Sequence, residues 1–220
     1  MKRWILLLAS CLAARGHDII TTTITFDREI ARMFYSRCVS CHHEGGPAFS
    51  LMTYKEARPW AEAIKEEVLT RRMPPWGAVK GFGDFRNDQA LTPEQMELIT
   101  NWAQGGAPEG EEKDLPDPPK FTTNPLAAHR HGELTMNGDL QLPRPFVLDG
   151  LWPQKLPDHT VVRITAELPD GTVEPLLWMD DYKPLYAHVF LFRKPLELPA
   201  KTMIRGVPAG SKVSLLPRGK

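Results

Sequence analysis

The sequence is short of cysteine. It has three in 220 residues. Cys11 falls in the leader-like start, so two remain and no disulfide framework is expected, even in an oxidising compartment. It also lacks an excess of charge of either sign: 27 Lys and Arg face 27 Asp and Glu. Loss of Lys2 and Arg3 with a leader tips that balance slightly to the acidic side, which excludes the basic footprint of a nucleic-acid-binding surface. The apolar run Trp4 to Ala14 is too short to cross a bilayer as a helix. There is no internal repeat and no low-complexity tract, so an array of repeats is excluded as well.

What the start does have is the layout of a secretory signal: Lys2 and Arg3, then the apolar run, then the small residues Ala13-Ala14. Residues 1–16 are expected to be a cleaved signal peptide and the protein to be periplasmic or otherwise exported. Leu8-Ala9-Ser10-Cys11 also resembles a lipobox, and lipidation at Cys11 is the only route to a membrane that the sequence offers.

Cys38-Val39-Ser40-Cys41-His42 is the most specific stretch. Two cysteines three positions apart with a histidine directly after the second read as a covalent attachment site for one c-type haem. One helical turn puts both thiols on one side of the backbone, where they can add to the two vinyl groups of a porphyrin, and His42 can then supply its imidazole to the iron. A zinc half-site and a dithiol redox pair are the alternatives. The first lacks a second ligand pair at suitable spacing, and the second lacks a surrounding βαβ pattern.

A sixth iron ligand is sought among Met33, Met52, Met73 and Met96. Met96 shares a helix face with Ile99 and Ala103 and reads as core filler. Met73 stands in Arg71-Arg72-Met73-Pro74-Pro75-Trp76, where two prolines hold the chain extended just past a helix. That makes Met73 the choice. His43 cannot reach the iron from the face opposite its neighbour, and is expected to be exposed or bonded to a propionate. The Pro47 carbonyl is expected to hold the other nitrogen of His42. Trp60, Trp76, Phe82 and Phe85 are available to wall the macrocycle, and Arg58, Arg71 and Arg72 to pair with propionates.

The chain changes character near residue 108. Residues 17–107 read as a helical haem domain. Asp27 starts a helix with Ile30, Phe34 and Cys38 on one face. Thr53 and Glu56 make a capping box, Pro59 opens a helix over 59–71, and Thr92-Pro93-Glu94-Gln95 opens another that Gly105-Gly106 stops. Residues 108–125 read as a stiff linker, since 108–119 hold five acids and four prolines. Residues 126–220 form a small β domain. Val162, Ile164, Ala166 and Leu168 alternate with polar residues, a turn follows at Pro169-Asp170-Gly171, and 172–179, 186–192 and 213–215 continue as strands. The expected fold is thus two-domain: an N-terminal all-α cytochrome c-like haem domain and a C-terminal small all-β antiparallel sandwich or barrel, with few contacts between them.

Residues 26–110 resemble a class I-like single-haem bacterial c-type cytochrome domain. The likeness rests on the attachment motif, Met73-Pro74-Pro75-Trp76, Gly83-Asp84-Phe85-Arg86-Asn87-Asp88, the Leu91-Thr92 helix start and Gly106-Ala107-Pro108-Glu109-Gly110. It is similar to the cytochrome domains found beside copper-dependent monooxygenase-like domains in secreted bacterial proteins. The resemblance implies a three-helix haem cradle, Cys38 and Cys41 as anchors, His42 and Met73 as axial ligands, and one-electron transfer.

The chain is therefore expected to be an electron carrier rather than an enzyme, working with a redox partner protein, its β domain serving for docking. Two alternatives stand beside this. One is an electron-feeding part of a copper or other metal oxidoreductase, with copper at His129 and His131. The other is a haem-based sensor whose methionine ligand is displaced by a small molecule.

Overall fold

The structure, a computed structural model, describes residues 22–121 and 132–219. The leader, Cys11, His129 and His131 lie outside the described residues.

Threonines start the helices, because a β-branched hydroxyl in extended backbone can accept from the first free N–H groups. Thr25 caps a π-type turn, Phe26–Ile30, that runs into helix α1 (Ala31–Arg37). The cap is thus Thr25, not Asp27. Asp27 is instead buried in the first turn, where burial and the carboxylates Glu109, Asp114 and Glu112 hold its carboxyl above the usual range. Thr53 and Glu56 close a capping box on α2 (Tyr54–Ala57), and Pro59 sits in a 3-10 turn that leads into α3 (Ala61–Leu69). Thr92 and Gln95 close a second box on α4 (Pro93–Gln104), which Gly105 caps.

The helices bury one cluster centred on Phe26, Phe34, Ile99 and Trp102. The rings meet edge to face: Phe26 and Phe34 at 6.1 Å, Phe34 and Trp102 at 6.2 Å. Burying side chains of this size contributes about 1.5–3 kcal/mol each. The acidic segment joins this core at its start. Trp102 Nε1–H donates to the Pro108 carbonyl at 3.0 Å, and the N–H groups of Phe26 and Asp27 donate to Pro108 and Glu109, both at 2.9 Å. The expected free linker is therefore strapped down at its beginning.

No all-α haem domain forms, and the expectation of one is corrected. The four helices span 7, 4, 9 and 12 residues. Between α3 and α4 the chain runs without a regular element, because Pro74 and Pro75 remove donors and Gly77, Gly81 and Gly83 loosen the backbone. This segment goes to the β half instead.

The C-terminal region is a β sandwich of two four-stranded antiparallel sheets. The strands are β1 (Leu134–Met136), β2 (Leu140–Gln141), β3 (Phe146–Lys155), β4 (Val162–Glu167), β5 (Val173–Met179), β6 (Phe190–Leu198), β7 (Met203–Arg205) and β8 (Lys212–Pro217). One sheet has the order β1-β8-β3-β6 and the other β2-β7-β4-β5. The alternation of β4 buries Val162, Ile164 and Ala166 against Leu148, Leu151, Phe190 and Leu215 of the other sheet.

Two edges of the sandwich, β5 and β6, are covered by residues 77–86. Val79 N–H donates to Trp178 at 2.7 Å and Asp180 N–H to Gly77 at 3.0 Å, while Arg86 N–H donates to Leu191 and Arg193 N–H to Asp84, both at 2.8 Å. Unpaired strand edges invite foreign pairing, and this segment removes the invitation. Gly83 makes the approach possible: with φ at +84°, a Cβ there would stand 2.6 Å from the Leu176 carbonyl. Phe85 enters the sandwich core itself. The two halves are thus knitted through 77–86, where the sequence expects few contacts. Among the described residues no helix is long and apolar enough to cross a membrane.

Candidate functional site

The attachment motif sits where α1 runs out. Cys38 is the C-cap, with its N–H bonded to the Phe34 carbonyl at 2.9 Å. The backbone then makes one more turn, since the N–H groups of Cys41 and His42 both donate to the Cys38 carbonyl, at 3.1 and 3.0 Å. Val39 is pinned in the helical core, while both cysteines are free thiols and keep partial exposure. Burial pushes the Cys38 thiol up to about 12, with Cys41 adding to the rise. A reactive dithiol needs the reverse, a thiolate favoured by a helix N-terminus or a nearby cation. Cys38 lies at a helix C-terminus, where the dipole disfavours an anion.

The loop after the turn folds back on it. Ala48 N–H reaches the Cys41 carbonyl at 3.3 Å and Leu51 N–H the His42 carbonyl at 3.0 Å. Gly46 allows this, because a Cβ there would stand 2.5 Å from the Cys41 carbonyl. His42 Nδ1 lies 2.9 Å from the carbonyl oxygen of Phe49. A carbonyl only accepts, so Nδ1 carries the proton and Nε2 keeps its lone pair. Among the described residues Nε2 has no hydrogen-bond partner. The expected carbonyl was that of Pro47. Pro47 stays exposed at the tip, and Phe49 is the residue whose carbonyl reaches His42 Nδ1. Burial lowers the His42 pKa, and the bond to Phe49 opposes this. The Phe49 ring packs edge-on to His42 at 4.9 Å and stacks on Trp60 at 4.6 Å. His43 turns the other way: Nδ1 bonds the Val39 carbonyl at 2.8 Å, and its ring stacks on Phe121 at 4.2 Å.

Met73 follows a reversal at Arg71, whose φ is 56°. The Arg72 and Met73 N–H groups both return to the Glu67 carbonyl, at 2.9 and 3.1 Å, and the Arg72 guanidinium grips the Glu67 carboxylate with two bonds of 2.8 Å. Arg72 is therefore committed to Glu67. Met73 is half-buried and lines a cavity of about 700 Å³ between the two halves of the molecule, with Trp76 and Met96 on its own side and Met179, Tyr182 and His188 on the other. Met33 is buried in the helical core, and Met52 packs on it. Met96 packs on that core too and also faces the cavity.

The structure brings Cys38, Cys41 and His42 together on one turn and puts Met73 on the cavity. The three motif residues are not among those lining it. The two places are linked through 88–91: Arg37 bonds the Asp88 carbonyl, Gln89 Nε2 bonds Ser40 Oγ at 2.9 Å, and Leu91 faces the cavity. Of the aromatics expected to wall a macrocycle, Trp76 lines the cavity and Trp60 packs beside Phe49. Phe85 serves the sandwich core, and Phe82 lies against Trp178 with Arg163 over its ring.

The bond that His188 makes across the two halves was not foreseen. The sequence reads it as a partly buried surface-strand residue; it is partly buried just ahead of β6, its Nε2–H donates to the Pro75 carbonyl at 3.0 Å, and burial lowers its pKa. Among the described residues no three His, Cys, Asp or Glu side chains gather as a metal cluster. Comparison with models of protein families, with curated proteins and with solved structures found no match to this chain.

Proposed function

We propose that this chain is an exported one-electron carrier with a single covalent c-type haem, held by Cys38 and Cys41, with His42 as proximal ligand and Met73 as the sixth ligand. The observation that carries the reading is the tautomer of His42. One turn past two free thiols, a carbonyl fixes the proton on Nδ1 and leaves Nε2 able to bind a metal, the usual arrangement of a ligating histidine and its supporting carbonyl. The donor set fits the group: two thiols on one turn, a neutral imidazole and a loop-borne thioether. It suits neither zinc, which takes four closed ligands, nor a dithiol, given the raised Cys38 pKa.

When bound, a haem supplies the Fe(III)/Fe(II) couple. The chain does the rest. The Cys38 turn anchors, the Phe49 carbonyl orients His42, and the Phe49 ring packs against the His42 imidazole. The partner is a redox protein outside the cytoplasm.

Co-expression with a c-haem maturation system tests this. Denatured protein should stain for haem and give one pyridine haemochrome per chain, and Cys38→Ala with Cys41→Ala should abolish the stain. Haem that extracts into acidified organic solvent, or two per chain, overturns the reading.

A further inference from the structure

The helical half carries a second cavity, of about 650 Å³, where the acidic segment straps onto it. Tyr35 and Tyr54 line it, together with Asp27, Glu109 and Glu112. The backbone puts these acids together. Asp27 N–H donates to the Glu109 carbonyl at 2.9 Å, and a Cβ on Gly110 would stand 3.2 Å from that of Asp27. Gly110, at φ +110°, thus keeps space beside the Asp27 side chain, and the turn Glu112–Asp114 brings the next acids round.

Asp27 is 5% exposed, yet its carboxylate accepts no hydrogen bond and forms no ion pair among the described residues. Its oxygens are not among the polar atoms sealed from solvent, so they face the cavity that the residue lines. The tyrosines cannot serve it, because their hydroxyls donate to the Met52 and Ala107 carbonyls at 2.9 and 3.0 Å. Nearby cations are committed elsewhere. Arg28 bonds Glu29 and the Thr23 carbonyl, Arg32 donates to the Asp114 carbonyl at 3.2 Å, and Lys113 pairs with Glu111 at 2.6 Å. Lys55 lines the cavity and pairs with none of the three acids. A carboxylate taken out of water without a partner is costly, so this place is short of one positive charge.

The missing charge is organic in kind. Among the described residues no three acidic, histidine or cysteine side chains gather as a metal cluster. Aromatic residues beside carboxylates suit a cation that also carries carbon. We propose that this cavity binds an organic ammonium group, with Asp27 as its buried counter-charge and Glu109 and Glu112 at the rim. A free alkylamine and a lysine side chain of another protein share this chemistry. The site is separate from Cys38, Cys41 and His42, and the proposal stands without the haem reading.

The test titrates the full chain with n-butylammonium chloride by calorimetry, at neutral pH and at ionic strength held constant with sodium chloride. One saturable site per chain is expected. Asp27→Asn keeps the shape and removes the charge, and should weaken binding roughly tenfold or more, as loss of a charge-assisted hydrogen bond predicts. Melting curves on the same samples show that the variant is folded. Glu109→Gln with Glu112→Gln should weaken binding less, because both side chains are exposed. A capped pentapeptide with one central lysine separates the two sources: binding at least as tight as butylammonium assigns the site to a partner's lysine, and weaker binding assigns it to a free amine. No saturable binding of either probe, or equal affinity in Asp27→Asn, overturns the proposal. So does saturable binding of calcium chloride by a chain that ignores butylammonium, which would make the site one for an inorganic cation.

Discussion

Both carboxylate oxygens of Asp149 are held by the guanidinium of Arg86, at 2.9 and 2.7 Å. Asp149 is 4% exposed on β3, and Arg86 belongs to the segment that edges the sandwich. The fork geometry matches carboxylate to guanidinium, and the same Arg86 group also bonds the Phe192 carbonyl. Asn87 adds a second clamp, donating to Val189 at 2.6 Å and accepting from Leu191 N–H at 3.0 Å. Arg86→Ala is expected to cost about 2–3 kcal/mol, less than breaking a fully buried pair, because the Arg86 side chain keeps 39% exposure. Urea unfolding measures it. The double change Arg86→Met with Asp149→Leu should cost less than Arg86→Ala alone, because it leaves no buried carboxylate without its guanidinium.

A fragment ending at Gly110 is expected to be loosened between α3 and α4. It would leave Trp76, Ala78 and Phe85 without the sandwich core they pack in. Limited proteolysis should cut the fragment within residues 74–90 at conditions that leave the full chain intact. Equal resistance of both would mean the helical half folds alone, as the composition shift at residue 108 suggests.

Met73→Ala in the oxidised, haem-bearing chain should remove the far-red sulfur-to-iron band and lower the reduction potential, because a thioether favours Fe(II) more than its replacements do. Met52→Ala should keep the band. Met96→Ala should keep it too and cost about 2 kcal/mol of stability, from its packing on the helical core. Loss of the band in the Met52 variant alone would reassign the ligand.

Asp27 sets a pH dependence. Its folded pKa lies above the ordinary 3.8, through burial first and then Glu109, Asp114 and Glu112. The stability tied to its protonation is therefore fully present below the unfolded pKa, and is lost as pH rises through the folded one. At neutral pH the carboxylate is a charge held out of water among other acids. Asp27→Asn should raise the melting temperature at pH 7 and lose that advantage near about pH 3, where both chains are neutral at this position. A gap of the same size at both values would assign the effect to the amide's own bonds.

Local chemistry was readable in the sequence wherever one residue type dictates it. The boxes at Thr53 and Thr92, the stop at Gly105 and the alternation of Val162, Ile164 and Ala166 all stand in the structure. β3 was not readable. It is buried on both faces over Leu148–Leu151, so it shows no alternation, and Pro153 argues against a central strand. Pro153 is tolerated because pairing with β6 has already ended at Leu151 and a register shift follows it on the β8 side. The motif turn was legible down to its residues. The Phe49 carbonyl was not, since only the return path of the loop selects it over Pro47. Residues 77–86 carry no period of their own, and their partners lie about a hundred positions away, so their place on the sandwich edges was invisible.

That distance has a consequence in time. A chain is made from its N-terminus, so the turn of Cys38 and Cys41 can exist before the wall opposite Met73 has emerged. His188 follows Pro75 by 113 residues, and β8, which lies between β1 and β3, comes later still. For that interval residues 77–86 have no sandwich edge to pair with, and arrival of β6 completes that pairing. The order of the elements along the chain thus makes the junction between the two halves the last part of the fold to close.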